Sequence, residues 1–220
     1  EYWVENLPDE VAKFMAPQRY ELLEYLSQRG VEVIDLVEHM RQAKGTEAEE
    51  PYKFTTKGTD PHLSFVGTEL ASKVLAERWE THRAKQPAQL STKAIPYRLE
   101  GRDFEIDQIL DPEGKPFQPS ETSDLAIVGD SNVYWWQEEH IRSAGLSAHI
   151  SKHLGKPIDE ISGGGLIPHQ LRDRAPRLLE KKSIIYLQSS WVLWDVRIPW
   201  KMFSDPYAEE DHRLAHISSD

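Results

Sequence analysis

The sequence predicts one α/β domain with a mostly parallel sheet flanked by helices, and three observations predict it. Two short apolar runs, LAIV at 125–128 and SIIYLQ at 183–188, have the length and composition of strands, the first of them buried. Segments with helical spacing alternate with these runs, and helical crossovers are what joins parallel strands. The 220 residues, 39% of them hydrophobic, suffice to bury a core without covalent staples, so residues 1–220 are assigned to a single domain with a polar tail at 201–220.

The elements follow in order. Residues 9–30 carry apolar residues at helical spacing in their second half, and Gly30 is a C-terminal stop. VEVIDL, at 31–36, alternates and is β-branched, so a short strand giving way to a turn or helix is expected before the charged loop from 41 to 53. Residues 66–80 place Leu70, Val74 and Leu75 on one broad face and read as a helix. The stretch 81–124 is the least regular part, an excursion holding one short helix at most. A strand at 125–128, helices at about 132–144 and 146–154, and a helical stretch at about 167–182 with a break near Pro176 lead to the last strand.

Composition excludes several function classes. A formal charge of −11 argues against a nucleic-acid or anionic-membrane surface, since neutralising phosphates needs a cationic face. Without cysteine there is no disulfide framework, thiolate nucleophile or Cys-type zinc site. No window approaches the run of about 18 apolar residues that a membrane helix requires. The chain opens on Glu1 with no signal-peptide pattern, which suits a processed product or a piece whose targeting segment or anchor lies outside it.

The chemistry concentrates at LAIVGDSNVYWW, residues 125–136. In α/β sheets working groups collect just past the carboxyl ends of strands, and Ser131 sits there after Gly129, which permits the tight turn. The N–H groups opening the next helix suit an anionic tetrahedral intermediate. The blander alternative is that Asp130 or Ser131 merely caps that helix. A serine nucleophile needs a base, and TDPHLSFVG supplies a candidate: Asp60 and His62 stand two apart just before a helix, so the carboxylate can hold one ring nitrogen while the other faces a hydroxyl. Alone, such a pair is more often a surface feature; together, the two signals complete each other.

Those residues carry a resemblance. TDPHLSFVGTELASKVLA resembles the Thr-Asp-x-His-Trp-x-x-x-Gly segment of the alginate O-acetyltransferase AlgJ/AlgX type of SGNH-hydrolase-like proteins, and LAIVGDSN resembles their Gly-x-Ser nucleophile block. The order agrees as well, since this type places Asp-x-His upstream of the serine. Weaker likeness reaches GVEVIDLVEHM, RDFEIDQIL, LGKPIDEISGGG and KKSIIYL, covering most of residues 22–200, with part of the family's N-terminal region lacking. The chain departs from the pattern at Pro61, Leu63 (usually Trp) and Phe65, which bears on the local turn and the substrate edge. The third-block Asn that serves as oxyanion donor in standard SGNH esterases has no counterpart: the two asparagines are Asn6 and Asn132.

The resemblance implies an SGNH-like fold and a serine-dependent O-acetyltransferase with Ser131 as nucleophile, His62 as base and Asp60 as its orienting carboxylate. It implies a polysaccharide acceptor, an acetyl donor such as a membrane acyltransferase could supply, no cofactor, and a place in the bacterial periplasm or cell envelope. A carbohydrate acetyl esterase, or an inactive polysaccharide-binding or scaffold relative, are the alternatives. For the remaining oxyanion or substrate contacts the candidates are Gly129, Gly163, Gly164, Tyr134 and Arg172, although SGGG at 162–165 also reads as a plain strand-to-helix turn.

Most of Tyr134, Trp135 and Trp136 are expected in the core, with one or two facing the cleft. The three tryptophans of WVLWDVRIPW, 191–200, read as a wall rather than a sugar platform. His149 and His153 share a helix face at i, i+4, but no carboxylate partner is evident, so solvated histidines and no metal are expected.

Overall fold

The computed structural model describes residues 17–44, 62–80, 90–99, 102–139, 141–162 and 173–187. Its elements are α1 (Pro17–Gln28), α2 (Leu36–Lys44), α3 (Phe65–Glu80), β1 (Ser91–Leu99), β2 (Arg102–Leu110), β3 (Leu125–Gly129), α4 (Ser131–Tyr134), α5 (Leu146–Leu154), β4 (Asp159–Ser162), α6 (Ala175–Leu179) and β5 (Ser183–Leu187). The strands β4, β3 and β5 form a parallel sheet in that order, with Gly129 of β3 opposite Ser162 and Leu187. The fold is therefore α/β with a parallel sheet and flanking helices, as the apolar runs and their spacing imply.

The central strand is buried throughout because both its faces are covered. Leu125 and Ile127 join Leu75 of α3, Leu146 and Ile150 of α5, and Ile158 in one core. Helix α5 ends at Gly155, whose φ of +69° is the left-handed cap that a residue without a Cβ adopts cheaply. Helix α3 starts at Ser64, whose hydroxyl accepts the Gly67 N–H at 3.1 Å, an N-cap that fixes where the preceding residues enter. Pro176 lies in the first turn of α6, where a missing N–H costs nothing.

Three expectations are corrected. VEVIDL forms no strand: residues 31–35 are irregular and Leu36 already begins α2, because the alternating pattern has no described neighbour to pair with. The described part of the excursion at 81–124 is an antiparallel hairpin with no helix, Ser91 standing opposite Leu110 and Leu99 opposite Arg102. Pro96 and the many charges obscure it in sequence, yet a two-stranded ribbon has only edges, where both are tolerated. The helix expected from 132 to 144 is shorter: α4 passes into a single π-helical turn at Trp135–Glu139.

The hairpin packs against that turn through Ile95, Tyr97 and Ile106, which surround Trp136, Ile141 and Ala144. Among the described residues no helix is long and apolar enough to cross a membrane.

Candidate catalytic site

The site forms where β3 ends. Asp130, with no exposed surface, is the N-cap of α4, and its Oδ1 accepts the N–H of Asn132 at 3.0 Å. Ser131 is the first helical residue and is partly buried. The capping alternative and the nucleophile reading therefore coexist on neighbouring residues: Asp130 caps, and Ser131 is delivered. Gly129 is required by packing, since a Cβ there would lie 2.5 Å from Val133 Cγ2 and 2.7 Å from the Leu187 carbonyl oxygen.

The second element is the entry to α3. Ser131 Oγ and His62 Nε2 stand 2.7 Å apart across 69 residues of sequence. As a base, His62 accepts the serine hydroxyl proton at Nε2, which requires that Nδ1 carry the ring hydrogen. The ring lies flat on Trp135, with centroids 3.7 Å apart and planes at 9°. An indole face is also favourable for the imidazolium that a proton transfer creates.

Two further contacts tie these segments together. The Leu63 N–H donates to Asn132 Oδ1 at 2.7 Å, and the Trp136 Nε1–H donates to the Leu63 carbonyl at 2.7 Å. Leu63, where the resembled family has Trp, buries its own side chain in the core. Asn132 is 5% exposed, with its Oδ1 turned to the Leu63 N–H. The sequence sets Asn132 aside as an oxyanion donor and carries no signal for this contact, because the partner is a backbone atom 69 positions away.

The remaining site candidates divide. Tyr134 lies on α4, partly buried, three residues after Ser131. Trp136 belongs to the core at 2% exposure while Trp135 stacks on the imidazole, so of the three aromatics expected mostly in the core only Trp136 is fully buried. Asp60, Gly163, Gly164 and Arg172 lie outside the described residues, as do Trp191, Trp194 and Trp200.

The expectation of solvated histidines is corrected for His149, which is 4% exposed. Its Nδ1 has no hydrogen-bond partner, and burial, with Lys152 and His153 adding positive charge, pushes its pKa down to about 4. Its face of α5 meets the hairpin at Asp107, which its sequence spacing alone does not reveal. Among the described residues no group of three His, Asp or Glu side chains is placed to hold a metal ion.

Two solved structures share this architecture. The O-acetyltransferase domain of Pseudomonas putida AlgJ matches with a TM-score of 0.53 at 16% identity, covering 79% of this chain and 65% of its own. Pseudomonas aeruginosa AlgX matches with a TM-score of 0.51 at 15% identity, covering 82% of this chain and 44% of its own. The chain thus spans less than two thirds of either protein. No family model matches the sequence, and no curated protein matches it. At such identities the likeness establishes the fold, an α/β arrangement with a parallel sheet, and leaves the chemistry to be argued from the residues.

Proposed function

We propose that the protein is a serine-dependent O-acetyltransferase that modifies an exported bacterial polysaccharide through an acetyl-serine intermediate. The observation that carries this reading is the 2.7 Å contact between Ser131 Oγ and His62 Nε2 at the carboxyl end of the central strand. The resemblance of the Asp-x-His and Gly-x-Ser segments to alginate O-acetyltransferases, and the fold shared with an O-acetyltransferase domain, support this choice of reaction class.

In the first half-reaction Ser131 Oγ bonds to the acetyl carbonyl of a donor ester as its proton passes to His62 Nε2. The tetrahedral intermediate collapses, the ester C–O bond breaks, and His62 returns the proton to the leaving oxygen. In the second, a sugar hydroxyl gives its proton to His62 and attacks acetyl-Ser131, and Ser131 recovers its proton as product leaves. Asp60 is assigned to hold the Nδ1–H, and the Ser131 N–H to bind the developing oxyanion. Gly163, Gly164 and Arg172 are the candidates for a further donor, and Tyr134 for the acceptor edge. A membrane acyltransferase is the proposed source of acetyl groups, which places the reaction in the periplasm or cell envelope.

A chromogenic acetyl ester, offered with and without an oligosaccharide acceptor, tests the proposal. Acetylated oligosaccharide is the expected product. Acetate release alone would make the protein an esterase, and neither product would make it a binding or scaffold relative.

A further inference from the structure

We infer that Asn132 and Trp136 are positioning residues for the base: they hold the backbone of Leu63 at both its N–H and its carbonyl, and so set the His62 imidazole against Ser131. The inference rests on the reading of Ser131 and His62 as nucleophile and base.

The geometry is specific. The N–H that Asn132 Oδ1 accepts belongs to the peptide joining His62 to Leu63, so this bond fixes the backbone directly after the imidazole. The carbonyl that Trp136 binds belongs to the next peptide, and the two together leave Leu63 no freedom to rotate. Both bonds are buried, where an alternative water partner is absent. The clamp is itself held. Asp130 Oδ1 accepts Asn132 Nδ2–H at 3.2 Å, which turns the amide oxygen toward Leu63, and Tyr97 of the hairpin meets the Trp136 ring edge-on at 5.7 Å.

The consequence is that the short segment carrying the nucleophile also places its base. Asn132 follows Ser131 directly, and Trp136 stands five residues on, so a shift of α4 carries the serine and the imidazole together. An arrangement of this kind keeps the attack distance constant when the substrate enters.

Labelling of Ser131 by a fluorophosphonate reads the pair without needing acetyl donor or glycan. In that reaction an Oγ–P bond forms, the P–F bond breaks, fluoride departs and the serine proton goes to His62. Trp136→Phe removes one N–H and keeps a ring; Asn132→Leu removes the acceptor at similar size. Each is expected to slow labelling by about 10- to 100-fold while circular dichroism stays native, because a base misplaced by about 1 Å costs on that order. In a His62→Ala background neither change should slow labelling further, since its effect travels through the imidazole. Should Asn132→Leu fail to fold, Trp136→Phe carries the test.

Wild-type labelling rates in the folded variants, equal losses with and without His62, or labelling indifferent to His62 would each overturn the inference. If the labelling pattern holds but acetyl esters are not turned over, the acetyltransferase reading falls and the clamp stands.

Discussion

Ser131 Oγ and His62 Nε2 meet at 2.7 Å, one delivered by the end of a buried strand and the other by the capped entry of a helix that packs on the same core. Neither element can drift without disturbing Leu63, whose backbone lies between them. Ser131→Ala should lower acetyl-ester turnover by about 10³-fold or more, with an unchanged circular dichroism spectrum, because the hydroxyl is partly exposed and caps nothing. Retained turnover would remove the serine from the mechanism.

Trp135 is expected to act on the charged form of the base. Its ring covers His62 face to face at 3.7 Å, an arrangement that stabilises an imidazolium by about 1 kcal/mol. Trp135→Leu should therefore reduce turnover about 5-fold, and Trp135→Phe, which keeps an aromatic face, should recover part of the loss. Steady-state rates of the two variants decide it.

Gly129 predicts a stability effect at the same place. An added methyl meets the Leu187 carbonyl, which is backbone and cannot swing aside. Gly129→Ala should destabilise the fold by about 2 kcal/mol in urea titration, the usual cost of overpacking a tight core.

His149 makes stability pH-dependent. Its pKa, near 6.5 when unfolded, is held at about 4 by burial, so the unfolded chain binds the extra proton first as pH falls. The contribution is present above pH 6.5 and is lost on the way down to about pH 4, amounting to about 2 kcal/mol between pH 7 and pH 5. His149→Gln should flatten that part of the urea-denaturation profile, and an unaltered slope would refute the assignment.

Asp159 acts at lower pH. It has no exposed surface and is paired with Arg177 and with Lys181, whose Nζ lies 2.8 Å away. Burial pushes its carboxyl up, but hydrogen bonds and charge from Arg177 and Lys181 outweigh this and hold it below the usual carboxylate range. The stabilisation is thus present above about pH 4 and lost as pH drops further. Asp159→Ala, which leaves the nearly buried Lys181 ammonium without its carboxylate while Arg177 keeps Glu121, should cost about 3 kcal/mol at neutral pH in a denaturant titration.

The sequence made legible whatever depends on local pattern or on a chemical requirement. LAIVG announces a buried strand, SIIYL a strand that in the fold is half-buried and exposed by turns, and residues 66–80 a helix, because composition and spacing suffice. Ser131 and His62 could be paired because a hydroxyl nucleophile requires a base, a demand that spans 69 positions. What stayed hidden depends on tertiary partners. VEVIDL has strand composition without a strand to join among the described residues, and Pro96 disguised a ribbon whose edges accept it. The Asn132 and Trp136 bonds end on backbone atoms, which carry no residue signature, and the burial of His149 follows from the hairpin packing over α5.

The central claim is that Ser131 carries the acetyl group and His62 makes it able to. The most direct measurement is mass spectrometry of the protein quenched during turnover of an activated acetyl ester. One acetyl group on the peptide containing Ser131, present in the wild type and absent in His62→Ala, is the result this account predicts. Turnover with Ser131 unmodified, or acetylation that proceeds equally without His62, would contradict it.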